Sequence, residues 1–264
     1  MESLKSILRI LKDLGCSGIK ISFEDEGALY NEVISMRNLT TSVGLELSVK
    51  IGGCEAKRDI IDCIDLNCDT IVAPMIESKF ALNKFLKSLD AYKCDKKIGF
   101  NLETIEAYKK LDSLSELFNK FDFVTLGRVD FVGSLGKDRD FVDTEEMYEI
   151  AETIFKKARE NGSMCYLGGA VSVNSKNFIK RLVENQLLDK FETRYVIYDV
   201  HQVDVKHLDN LLYWANVFEV AWLKYVNERY MLHANKDVKR IKMIEDRIAL
   251  NNITPTENKN ETKT

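Results

Sequence analysis

Short runs of β-branched and aromatic residues recur along this chain, each followed by a stretch with the apolar spacing of a helix. The runs are 18–23 (GIKISF), 45–51 (LELSVKI), 70–73 (TIVA), 98–102 (IGFNL), 121–126 (FDFVTL), 164–167 (MCYL) and 194–198 (RYVIY). Helical patterns such as 78–89, 104–118, 144–160 and 175–187 lie between them. Strand, helix, strand in repetition demands parallel pairing, because parallel neighbours need a long crossover and a helix supplies it. Seven strands are legible in this way and an eighth is not. The pattern suits a (β/α)8 barrel, with a doubly wound sheet as the other architecture. The 264 residues match the roughly 250 that such a barrel takes as one domain.

After Asp199 the pattern changes. Residues 208–233 read as one long helix carrying Trp214, Phe218, Trp222 and several tyrosines, and a second helix follows over about 237–250. This exceeds one barrel crossover. It is either a barrel-closing helix with an extension, or an aromatic contact surface through which the chain forms a homo-oligomer. Residues 251–264 are polar and expected to be disordered. The expected organisation is thus one barrel domain over 1–250, C-terminal helices included, and a tail over 251–264.

Charge and cysteine usage narrow the class. Net charge is −4, and no basic stripe or arm favours nucleic acid. The N-terminus lacks the apolar core and cleavage site of a signal peptide, and no apolar run approaches the ~20 residues of a membrane span. Six cysteines at 16, 54, 63, 68, 94 and 165 form no CxxC motif, which points to free thiols and a reducing cytoplasmic setting.

In a parallel barrel the chemistry sits where strands hand over to loops. Here those positions are polar or glycine-rich: Glu24, Asp25, Glu26 and Gly27; Lys50, Gly52 and Gly53; Pro74, Met75 and Glu77; Glu103 and Thr104; Gly127, Arg128 and Asp130; Gly168 and Gly169; Asp199 and His201. Glu103 and Asp130 follow neighbouring strands, so their carboxylates are expected to converge, with repulsion relieved by a proton or a cation. Hard oxygens suit Mg²⁺ or Mn²⁺; the alternative is that each caps the following helix. Gly52 and Gly53 suit either an anion held by backbone N–H groups or a plain turn. Lys50 and Arg128 are the cations available to hold a substrate carboxylate, or else to pair with nearby acids. His207 and His233 fall on the C-terminal helices as surface residues, while His201 lies nearer the expected mouth.

The segments VKIGGCEAKRDI, DTIVAPMIES, KIGFNLET and FDFVTLGRVDFVGSLG, in this order and spacing, resemble the HpcH/HpaI aldolase and citrate lyase β-subunit family, of the phosphoenolpyruvate/pyruvate-type TIM barrel superfamily. The resemblance covers roughly residues 18–169. It implies a modified TIM-type (β/α)8 barrel whose C-terminal helices swap between subunits. It also implies a divalent metal on Glu103 (in NLET) and Asp130 (in GRVD), and cleavage of a carbon–carbon bond in a 2-oxo acid or acyl-CoA through an enolate. Pro74 and Met75 would line the mouth, with Gly52, Gly53 and Gly127 beside the substrate. Two positions depart from the family. Lys50 stands where aldolases carry an arginine, leaving Arg128 to supply the guanidinium. Gly27 stands where a histidine belongs, leaving Glu24 or Glu26 as base. A metal-dependent lyase is therefore the expectation. The alternatives are a Schiff-base aldolase on Lys50 and a ligand-binding or assembly barrel without catalysis.

Overall fold

The computed structural model describes residues 1–250, so the expected tail over 251–264 lies outside the described residues. The strands are β1 (Cys16–Ser22), β2 (Glu46–Lys50), β3 (Thr70–Ala73), β4 (Lys97–Leu102), β5 (Phe123–Gly127), β6 (Met164–Gly168), β7 (Lys190–Glu192) and β8 (Val196–Asp199). The helices are α1 (Glu2–Asp13), α2 (Tyr30–Val43), α3 (Lys57–Asp65), α4 (Lys79–Ala91), α5 (Ile105–Lys109), α6 (Leu111–Ser115), α7 (Arg128–Ser134), α8 (Glu145–Glu160), α9 (Lys176–Glu184) and α10 (Leu208–Leu250). The strands close into a barrel in sequence order.

Local chemistry sets where helices begin. Ser78, Thr104 and Thr144 each accept a hydrogen bond through the side-chain oxygen from the amide three residues on, capping α4, α5 and α8. In α1 the buried residues Leu4, Leu8 and Leu11 follow the spacing of a single helical face.

Alternation along the strands separates two environments. Ile19, Ile21, Leu47, Val49, Ile71, Phe100, Leu102, Val124, Leu126 and Leu167 are buried. They form the face toward the helices, where Cys165 Sγ donates to the Phe155 carbonyl of α8. The intervening residues face the barrel axis, where side chains of non-adjacent strands meet. Val72, Phe123 and Tyr166 form an apolar layer, with the Phe123 and Tyr166 rings stacked at 4.1 Å. Gly99 makes room for it, since a Cβ there would lie 2.3 Å from the Phe123 ring. Toward the mouth the axis turns polar: Lys20, Ser22, Lys50, Asn101 and Glu192 replace apolar side chains. Lys20 Nζ meets Glu192 Oε1 at 2.5 Å across the axis.

Three features depart from expectation. The eighth strand is the three-residue β7, which forms a hairpin with β8. β8 runs antiparallel to both β7 and β1, and the Asp199 amide donates to the Gly15 carbonyl just before β1. Asp199 and His201 therefore lie at the opposite end of the barrel from the mouth, and the hairpin turn with Arg194 takes their place there. Third, α10 is one continuous helix where two were expected.

The chain divides into two compact units, with the boundary after Ala221. In the first, Tyr198 Oη donates to the Leu211 carbonyl at 2.6 Å and anchors the start of α10 on the barrel. In the second, α10 carries exposed Met231, Val238, Ile241 and Ile248.

Candidate functional site at the barrel mouth

Glu103 follows β4 directly and is 2 % exposed. Burial of a carboxylate is costly unless its oxygens are satisfied. Here Oε1 accepts from the Met75 amide at 2.8 Å and Oε2 from Asn101 Nδ2 at 3.0 Å. Met75 sits at φ +50, a strained value for a non-glycine residue, and this conformation points its amide at Glu103. Gly127, at the end of β5, lies against the same carboxylate: a Cβ there would be 2.4 Å from Oε2. Two neighbouring strands are thus shaped around one acid. Each oxygen keeps a lone pair beyond the bond it accepts.

Asp130 is in the first turn of α7 and is exposed, with no hydrogen bond to its carboxylate among the described residues. Burial and the charge of Asp130 push the Glu103 carboxyl up, against the Met75 amide, Lys50 and Asn101. Desolvation, with Asp25 and Glu24, raises Asp130, and Lys50 opposes the rise. The charge of Asp130 is felt at Glu103, and Lys50 opposes the rise at both acids.

Lys50 Nζ lies 2.8 Å from Glu24 Oε2. Desolvation alone would lower this ammonium, but the bond to Glu24 and the charges of Glu103, Glu24 and Asp25 hold it above its usual range. A Schiff-base lysine needs the reverse shift, so the geometry disfavours that alternative. The loop bearing Glu24 and Asp25 is fixed by buried Ser22, whose Oγ accepts from both amides at 3.1 and 3.0 Å.

Other expected site residues are placed differently. Arg128 is fully buried, and its guanidinium donates to the Gly168 and Val142 carbonyls, Asp143 Oδ1 (2.6 Å) and Ser175 Oγ. It lies over the Phe178 ring at 5.0 Å. It ties α7 to β6 and the loop before α8, so its donors are not available to a substrate carboxylate as expected. The Gly52 amide donates to Asp59 Oδ2 at 2.7 Å, which fits the turn reading rather than an anion site. Gly53 has open space around its Cα. Pro74 is buried, and Met75 is 45 % exposed. Gly169 meets the start of α7, where a Cβ would lie 2.6 Å from the Arg128 and Val129 amides.

The hairpin turn adds a residue that sequence reasoning missed. Arg194 reaches over the β1 loop, with Nη2 3.3 Å from Asp25 Oδ2 and Nε 3.3 Å from Glu26 Oε1. The run 194–198 reads as a parallel strand, which places Arg194 at the end away from the mouth; the antiparallel direction of β8 brings it to the mouth instead.

Among the described residues no group of three His, Cys, Asp or Glu side chains stands ready to hold an ion. Glu103 and Asp130 fit as a two-carboxylate site, a set that leaves most of the coordination sphere to water and substrate oxygens. The surplus of acids over Lys50 and the free lone pairs of Glu103 suit a divalent cation there.

No family model and no curated protein sequence matches the chain. Solved structures do. An HpcH/HpaI aldolase from Desulfitobacterium hafniense DCB-2 is 14% identical, with 82% of this chain and 88% of that one covered and a TM-score of 0.60. The citrate synthase SbnG is 13% identical over 82% and 89%, with a TM-score of 0.57. RipC from Yersinia pestis is 16% identical over 73% and 86%, with a TM-score of 0.50. At such identity the likeness speaks to architecture, and this chain has the fold of the HpcH/HpaI aldolase barrel.

Proposed function

We propose that the chain is a carbon–carbon lyase of the aldolase kind, acting on a small 2-oxo acid or related acyl-CoA, with a divalent metal (Mg²⁺ or Mn²⁺) held by Glu103 and Asp130. The observation that carries this reading is the construction around Glu103: a buried carboxylate, held by the Met75 amide and Asn101 and accommodated by Gly127, in one field with Asp130. The charge of Asp130 reaches Glu103, and a cation held by both would relieve that repulsion. The cation, when bound, supplies positive charge against the oxygen that becomes an enolate as the carbon–carbon bond breaks.

The protein's own groups do the rest. Lys50 presents its ammonium to the substrate carboxylate, with Glu24 fixing its position. Met75 and Gly53 are accessible and would line the mouth, while Gly127 backs the Glu103 carboxylate, Gly52 is tied to Asp59 and Pro74 is buried. Arg128 holds α7, and through it Asp130, in place. Homo-oligomerisation through the exposed apolar residues of α10 and a cytoplasmic setting, suggested by free cysteines, belong to the same proposal. No helix among the described residues is long and apolar enough to cross a membrane.

The test is oxaloacetate decarboxylation with Mn²⁺. Wild-type turnover that EDTA suppresses, reduced at least ~100-fold in Glu103→Gln and Asp130→Asn, is expected when an interaction worth about 2.7 kcal/mol is lost. Absent turnover, or turnover that EDTA leaves intact, would return the chain to a ligand-binding barrel. Borohydride with pyruvate should leave no adduct on Lys50.

A further inference from the structure

Glu24 and Glu26 are the two acids expected as base, and with Glu24 fixing Lys50 the structure decides between them. Glu26 sits on the loop after β1, beside the axis, and its side chain is only 10% exposed. Oε1 is held by Arg194 Nε at 3.3 Å, and the buried Oε2 has no hydrogen-bond partner among the described residues. A buried oxygen without a partner costs free energy that a structural role would have removed. The nearest cation along the axis, Lys20, is already paired with Glu192. Glu24, two residues earlier, is paired with Lys50. Glu24 Oε2 is buried as well, but the Lys50 ammonium stands against it, so Glu26 is the more enclosed of the two acids and the one whose second oxygen faces no cation among the described residues. Gly27 at φ +59 turns the chain immediately after it.

We propose that Glu26 is the proton-transfer residue of this site, and that Arg194, from the β7–β8 turn, is its positioning residue. This assignment rests on the lyase reading above. In aldol cleavage the Glu26 carboxylate takes the proton of the substrate hydroxyl as that oxygen becomes the aldehyde carbonyl, and the electron pair of the broken carbon–carbon bond passes into the enolate. Glu26 then gives the same proton to the enolate carbon, the keto group reforms, and the carboxylate is restored. In reverse, the Glu26 carboxylate removes a proton from the methyl carbon of pyruvate. The C–H electron pair then becomes the enolate double bond.

The surroundings suit this task. Burial pushes Glu26 up to about 7, opposed by Lys20, Arg194 and Lys50 and aided by Asp25. Tyr195, from the same turn as Arg194, is the remaining titratable group facing it. An acid with a value near the working pH can both give and take a proton.

The experiment is exchange of the pyruvate methyl protons for deuterium with Mn²⁺ present, followed by NMR across pH, beside a ¹³C-carboxylate titration of the glutamates without metal or substrate. In the wild type, exchange should rise with pH through a midpoint near 7, and one glutamate should titrate there. Glu26→Gln should remove that titration and lower exchange at least 100-fold while keeping the native circular dichroism spectrum. Glu26→Asp should recover part of the rate. Arg194→Gln removes a cation that favours the ionised form, so the midpoint should move to higher pH in both measurements. Exchange at the wild-type rate in Glu26→Gln, in a protein that still decarboxylates oxaloacetate, overturns the assignment and leaves the lyase reading standing. A midpoint that Arg194→Gln does not move overturns the role of Arg194. A wild type that neither exchanges pyruvate nor decarboxylates oxaloacetate overturns the lyase reading, and this assignment with it.

Discussion

Replacing Gly127 by alanine puts a methyl group where the structure has a carboxylate. The added Cβ would lie 2.4 Å from Glu103 Oε2 and 2.9 Å from Glu103 Cβ. The backbone at Gly127 has φ −87, which alanine adopts without strain, so the substitution isolates this one contact. Glu103 must then shift, and it cannot shift far without losing the Asn101 bond on the oxygen that is struck. Overpacking costs about 1–3 kcal/mol, and a buried polar group losing its partner adds about 1–3 kcal/mol. A loss of roughly 2–6 kcal/mol in urea unfolding is therefore expected, together with at least a ~10-fold weaker Mn²⁺ affinity by calorimetry, or about 1.4 kcal/mol. Gly133→Ala is the control. Gly133 lies in α7 with open space around it, and alanine in a helix should be neutral or favourable by up to ~1 kcal/mol. A Gly127→Ala protein as stable as the control, with unchanged metal affinity, would refute the idea that β5 is shaped around Glu103.

Three further outcomes follow from the same geometry. Arg128→Met leaves Asp143 and two carbonyls without their buried donor, so it should cost about 3–5 kcal/mol in chemical unfolding. Arg128→Lys should recover less than half, because an ammonium cannot reach all the guanidinium's partners; a methionine variant within 1 kcal/mol of wild type would contradict the anchoring role. Lys50→Gln removes the cation that opposes the rise of Glu103 and Asp130, so both carboxyls should hold their protons to higher pH. Metal binding requires the ionised acids, so its pH midpoint by calorimetry should move upward; a downward move would contradict the shared field. On α10, Val238→Asp with Ile241→Asp should reduce the sedimentation coefficient if exposed apolar residues join copies of the chain, whereas an unchanged value would count against that contact.

How far the sequence could be read depended on the kind of signal. Six parallel strands announced themselves through β-branched runs, because burial on the helix side demands apolar residues at alternate positions. β7 did not: KFE is three residues long with one apolar side chain, and it exists because the hairpin with β8 pairs it. Strand direction leaves no trace in alternation, so the run at 194–198 was read as parallel. That error moved Asp199 and His201 to the wrong end and hid Arg194. Glu103 and Asp130 were legible as acids after neighbouring strands, but the Met75 conformation and Asn101 that hold Glu103 were not, since both depend on contacts between strands. Arg128 shows the limit of position alone. A cation after a strand can turn inward as well as toward the mouth, and here Asp143, Val142 and Gly168 draw it inward.

Glu103 and Asp130 are proposed to hold one cation between them. Anomalous diffraction at the manganese edge, from crystals soaked with Mn²⁺ and pyruvate, tests it most directly. A single peak is expected at the barrel mouth, with an oxygen of each carboxylate at ~2.0–2.6 Å and pyruvate oxygens completing the shell. Manganese bound elsewhere, or held at the mouth without either carboxylate, would contradict it.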